Sequence, residues 1–186
     1  MPEIAVKQCH PLKSICLLLN GVEHHLNRRE FSSPTLTKEL LPDNVRIVFK
    51  SAADDIARED ALPIVAHQVS GLQITPYFAY HNFIPTQGEA ITAELAGGVN
   101  FTVSTTNEAL TAELATEIGV YCMTIYRSLR SEDLLIQQIT VSPVQRSQGG
   151  YYEATVQLTA SLGKPVWKNE ANESILREIG MRLTFN

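Results

Sequence analysis

A chain of 186 residues, 44% of them apolar and with a formal net charge of −5, has material for one core with an extension, or for two small domains. The acidic balance argues against a dedicated nucleic-acid binder, which is basic overall, and leaves a local basic patch open. Three cysteines, Cys9, Cys16 and Cys122, are odd in number and unevenly spaced, which argues against a disulfide framework and for a reducing compartment.

Residues 1–42 are the least regular stretch. Leucines cluster between Leu12 and Leu26 and suggest a short helix, which Ser32, Ser33 and Pro34 interrupt. Thr35 to Leu41 add a turn before Pro42. The segment reads as an irregular N-terminal arm or extension, with residues 43–186 as the core domain. Its apolar run from Ile15 to Leu19 is far too short to span a membrane. The opening Met-Pro-Glu lacks the charged region and apolar core of a secretory signal.

Val45, Ile47 and Phe49 alternate with Arg46, Val48 and Lys50, a strand pattern. Ser51 can cap a short helix over residues 52–59, with Asp54 and Asp55 in its first turn. Leu62 to Val69 predicts a second strand, which Gly71 ends or bulges. A strand near Gln73 to Tyr80 follows, then a long loop or hairpin through Pro85, Gly88 and Gly97-Gly98. Val99, Phe101 and Val103 alternate and lead into a helix from Thr105 to Leu129, with Thr105 and Glu108 spaced as a capping box.

That helix is the most informative element. Leu110, Leu114, Ile118, Tyr121, Cys122, Ile125 and Leu129 form one apolar stripe. Ala109, Ala112, Thr116, Gly119, Val120 and Met123 form a second, small or apolar side. Only Glu113, Glu117 and Thr124 remain as a polar strip. A helix with two apolar sides needs two partners. One is its own sheet; the other is expected to be a neighbouring subunit.

Leu134 to Val141 predicts a strand with a bulge at Gln137 and Gln138. Pro143 to Gly150 is a polar turn. Tyr152, Ala154, Val156, Leu158 and Ala160 alternate with polar residues and mark the clearest strand. Asn169 to Arg177 suggest a helical turn, and Ile179, Met181, Leu183 and Phe185 a last antiparallel strand. The order predicts an α+β fold: a mainly antiparallel sheet with one long helix packed across a face, plus the irregular arm.

No reaction chemistry stands out. Cys9, His10, Cys16, His24 and His25 lack metal-ligand spacing, and no GxSxG elbow occurs. His67 in an apolar strand reads more readily as a satisfied, partly buried residue than as a base. Cys122, on the core stripe, reads as a small hydrophobe. Asp54, Asp55, Glu59 and Asp60 read as a solvated helix start. Gly149-Gly150 reads as a turn before a strand. Neither a metal, a cofactor nor an enzymatic activity is expected.

Arg127, Arg130 and Arg146 admit two readings: charge complementing a helix C-terminus, or polar contacts with an acidic neighbour. Ala112, Gly119 and Met123 are the candidates for subunit packing, and Trp167 for docking a partner. A rival reading is a small-molecule-binding protein or enzyme that uses the aromatic loop Tyr77 to Phe83 with His81.

The segments NVRIVF, the short acidic helix, LPIVAHQVSG, VNFTVSTT running into NEALTAELATEIGVYCMTIYRSL, and the pair LLIQQITVSP and GGYYEATVQLTAS resemble, in order and texture, the neck and tail-terminator proteins of tailed bacteriophages. The resemblance spans residues 44–161, and the N-terminal 40 residues depart from it. It implies a virion structural subunit, made in the host cytoplasm, that forms a homo-oligomeric ring, commonly a hexamer. Such a ring joins head and tail beside adjacent neck, connector or tail-tube proteins. DNA passes through its lumen without specific binding, and no membrane is involved.

Overall fold

The computed structural model describes residues 11–53, 62–77, 91–129, 134–162 and 166–167. Among these residues, two α-helices, α1 (Pro11–Arg28) and α2 (Glu108–Leu129), and a π-helical turn (Leu36–Leu40) accompany seven strands. The strands are β1 (Val48–Ser51), β2 (Ile64–Tyr77), β3 (Ile91–Thr105), β4 (Leu135–Val141), β5 (Gln145–Arg146), β6 (Tyr152–Ser161) and β7 (Val166–Trp167). They form one sheet in the order β1-β2-β3-β6-β4, with β5 beside β6 and β7 beside β3.

The fold is α+β, as the sequence predicts, but the sheet is mixed. β1 runs parallel to β2, and the other pairs are antiparallel. Alternation locates β1 and cannot reveal which neighbour it takes or in which direction. β2 and β3 form one long hairpin whose register runs from Ile64↔Ser104 to Tyr77↔Thr92. Two predicted strands thus merge into β2, with the register shifting between Ser70 and Gln73, around Gly71. The bulge expected in β4 lies between Ile136 and Gln138. Gly98 is buried beside β6, where an added Cβ would strike the Leu158 carbonyl oxygen. The glycine is therefore a close approach between strands rather than a break.

The arm is a correction. Residues 11–28 are a regular helix, and Ile15, Leu18, Val22 and Leu26 from it lie in the same hydrophobic cluster as Phe101, Val156 and Ile118. Their spacing of three and four residues makes one stripe, while Cys16, Asn20, Glu23, His24 and Asn27 face solvent. Each buried aliphatic side chain contributes about 1.5–3 kcal/mol of transfer free energy. The helix ends where Arg29 adopts a left-handed conformation (φ 56°), held by a 2.9 Å bond from its guanidinium to the Pro42 carbonyl. Leu36 and Leu41 from the following turn are also buried.

The start of α2 differs from the expected capping box. Asn107 is the cap: its Oδ1 accepts from the Leu110 amide at 3.1 Å. Thr105 Oγ1 instead accepts from the Asn107 amide at 3.0 Å and lies 2.8 Å from the Thr111 hydroxyl. The hydroxyl sits two residues too early to reach the third helical amide.

α2 packs on β3, β6 and β4 through Leu114, Ala115, Ile118 and Cys122, all fully buried. The covered face of the sheet carries Val99, Phe101, Val103, Val156 and Leu158. The opposite face is polar: Gln68, Asn100, Gln157 and Thr140 stand in one row across β2, β3, β6 and β4. The predicted helix at residues 52–59, the turn at 169–177 and the strand at 179–185 lie outside the described residues.

A buried carboxylate and an exposed assembly surface

Glu117 is the most constrained polar group in the described structure. Its side chain is 2% exposed. Its Oε1 accepts from His25 Nε2 at 2.9 Å, from the Ser32 amide at 2.9 Å and from the Ser32 hydroxyl at 3.2 Å. The Ser33 amide donates to Oε2 at 3.4 Å. The His25 ring stacks on Tyr121 with centroids 4.1 Å apart, and Phe31 meets it edge-on at 5.7 Å. α2 supplies the carboxylate and the tyrosine, α1 the histidine, and the turn after α1 the amides.

The sequence pattern places Glu117 on the polar strip of α2 with Glu113 and Thr124. Its burial depends on donors 84 to 92 residues away in sequence, and no local pattern announces that. All its neighbours donate, so the carboxylate is a tie that fastens α1 and its following turn to α2. Burial also raises the Tyr121 hydroxyl above its ordinary value, with the neighbouring Cys122 adding to the effect.

α1 packs beside this carboxylate, along the edge of the first apolar stripe of α2. It covers the flank with Glu117, Tyr121 and Ile125. Gly21 is the close contact there: a Cβ at that position would lie 2.6 Å from Ile125 Cδ1.

A different side of α2 stays uncovered. Ala109, Ala112, Thr116, Val120 and Met123 are all exposed, Met123 by 66%. They recur at three- and four-residue intervals, so they make one stripe, with Glu113 beside it and Arg127 at its end. The Thr116 hydroxyl donates to the Ala112 carbonyl at 2.8 Å, which satisfies its donor within the helix. Gly119 borders this stripe but is buried. A Cβ there would meet Val141 Cγ2 at 3.4 Å and Ile139 Cγ2 at 3.6 Å. Its small size serves the seat of α2 on β4 inside the chain, which corrects its assignment to a subunit contact. Gly119 thereby sets α2 on β4, the edge strand, where Val141, on the face that α2 covers, is 40% exposed.

The other candidates are dispersed. Arg146 is exposed on β5, and Arg127 belongs to the last turn of α2. Arg130 lies outside the described residues. The backbone of Trp167 pairs with Ile91 in β7. Of the aromatic loop, Tyr77 ends β2, while Phe83 and His81 lie outside the described residues, as do Asp54, Asp55, Glu59 and Asp60. His67 is partly buried and stacks on Phe49 at 4.7 Å, a packed ring as anticipated. Cys122 is fully buried, and burial pushes its thiol up to about 12.

Among the described residues no three His, Cys, Asp or Glu side chains are placed to hold a metal ion. A surface depression of about 200 Å³ beside Arg29, Asp43 and Arg46 is open to solvent. No described helix is long and apolar enough to cross a membrane. No protein-family model matches the sequence, and no curated protein matches it.

Proposed function

We propose that the chain is a non-enzymatic structural subunit that assembles with copies of itself, and that the assembly is a ring at the neck or top of the tail of a tailed bacteriophage, as terminator or connector. The observation that carries the reading is the exposed row of small and apolar residues on α2, from Ala109 to Met123, together with the uncharged edge strand β4. Exposed apolar surface of this kind marks contact sites.

Two further features support the ring. The elements β1, β2, β3, α2, β4 and β6 follow one another in the order that carries the resemblance to neck and tail-terminator proteins. Among the described residues, the sheet face away from α2 offers mainly amides and hydroxyls, with Lys50 as a cation at its β1 edge, so it would hold passing DNA only weakly. In this reading Ala112 and Met123 pack against other subunits. Arg127, Arg130 and Arg146 make polar contacts, and Trp167 docks a neighbouring neck or tail protein.

Electron microscopy of the purified full-length chain tests the proposal. Closed rings of uniform diameter are expected, alone or on mixing with tail tubes. Dispersed single copies under both conditions would overturn it.

A further inference from the structure

The two edges of the sheet are unequal. β1 is four residues long and carries Lys50, the kind of short, charged edge that resists pairing. β4 is seven residues long, LIQQITV, without a charge. Among the described residues nothing pairs with its outer side, so its outward backbone groups form a ready template for another strand.

The register decides what fits there. Ser51 of β1 pairs with His67, His67 with Phe101, Phe101 with Val156, and Val156 with Val141 of β4. The last residue of β1 and the last of β4 thus share one row. The two strands lie at diagonally opposite ends of the sheet. A second copy placed alongside without rotation would set β4 next to a single residue of β1. A copy turned about a two-fold axis perpendicular to the sheet sets β4 against its own mate, antiparallel and over its full length.

The same rotation keeps both α2 helices on one face of the joined sheet. Because Gly119 seats α2 directly on Ile139 and Val141, the exposed stripe stands above this edge and meets its own copy across the axis. A partner that satisfies both features needs a strand and a helix at the same offset, which a second copy has. We infer that the β4 edge and the α2 stripe form a single isologous contact with a second copy of this chain. The inference rests on the reading of the chain as a self-assembling subunit but not on the ring. A ring built from such pairs needs one further contact besides this one.

Sedimentation of the full-length chain is the test. The wild type should sediment as pairs or even multiples. Met123→Glu places like charges across the axis and should weaken pairing by about a hundredfold; because Met123 is exposed, its melting temperature should match the wild type's at dilutions where both are single chains. Mixing it with Met123→Lys should restore pairing. In a Cys9→Ser, Cys16→Ser background, Gln138→Cys sits near the axis and should cross-link to itself into a covalent dimer.

If assemblies persist with Met123→Glu and Gln138→Cys fails to cross-link, the contact lies elsewhere and this inference falls, while the assembly reading stands. A wild type that stays monomeric at every concentration overturns both. Cross-linking of Gln138→Cys to Leu183→Cys within one chain would show that the chain's own last residues occupy the edge, and would also overturn the inference.

Discussion

Replacing Glu117 by alanine removes the acceptor that four donors share. The loss orphans His25 Nε2 and the Ser32 amide, which now contact it at 2.9 Å. A buried donor left without a partner costs about 1–3 kcal/mol. Ser32 lies near solvent, and water there relieves part of the loss, so the expected total is about 2–4 kcal/mol. For a chain of this size that corresponds to a fall in melting temperature on the order of 10 °C. Glu117→Gln keeps the shape and one carbonyl oxygen, and presents an amide to the weakest of the donors. Its expected cost is smaller, about 1 kcal/mol. Chemical denaturation gives both values, and hydrogen exchange locates the effect in α1, which should lose protection before the sheet does. An alanine variant within about 0.5 kcal/mol of wild type, or one no worse than the glutamine variant, would refute the reasoning that the carboxylate ties α1 to α2.

Other consequences follow from single residues. The Cys122 thiol is pushed up to about 12 from 9.0 by burial. The unfolded chain therefore loses this proton first as pH rises, so stability is complete below about pH 9 and falls by about 1.4 kcal/mol per unit above it; urea midpoints at pH 8 and pH 10 measure the slope. Exposed Cys16 should react with a maleimide in the native state, and Cys122 only after unfolding; mass spectrometry of labelled peptides reads the difference. Gly98→Ala drives a methyl group into the Leu158 carbonyl and should cost about 1–3 kcal/mol, read by denaturation. Asn107→Ala removes the α2 cap and should cost about 1 kcal/mol, read the same way.

Much of the fold is legible because it is local. The alternation from Tyr152 to Ala160 fixes both β6 and its buried face. The interrupted alternation at Gln137 locates the bulge in β4, and the apolar spacing of α2 locates its seat on the sheet. What escapes is set by distant residues. The leucines of α1 suggest a helix, but Asn20 and Gly21 weaken its propensity, and nothing nearby shows that Gly21 exists to admit Tyr121 and Ile125. Glu117 has a polar strip as its local context and a buried cluster as its true one. The parallel direction of β1 is invisible to a pattern of four residues. The small and apolar residues of α2 show that some partner is needed, yet not that α1 takes one flank and leaves the stripe from Ala109 to Met123 open. Gly119 illustrates the difficulty: a glycine suited to a subunit contact is equally suited to an intrachain one, and only the position of β4 decides.

The central claim is that the uncovered stripe of α2 and the bare edge of β4 exist to meet another copy of the chain. Light scattering of the full-length protein over a dilution series tests it most directly. The account predicts a mass that is a multiple of the 20.6 kDa chain and falls toward it on dilution. A mass equal to one chain at every concentration would contradict it.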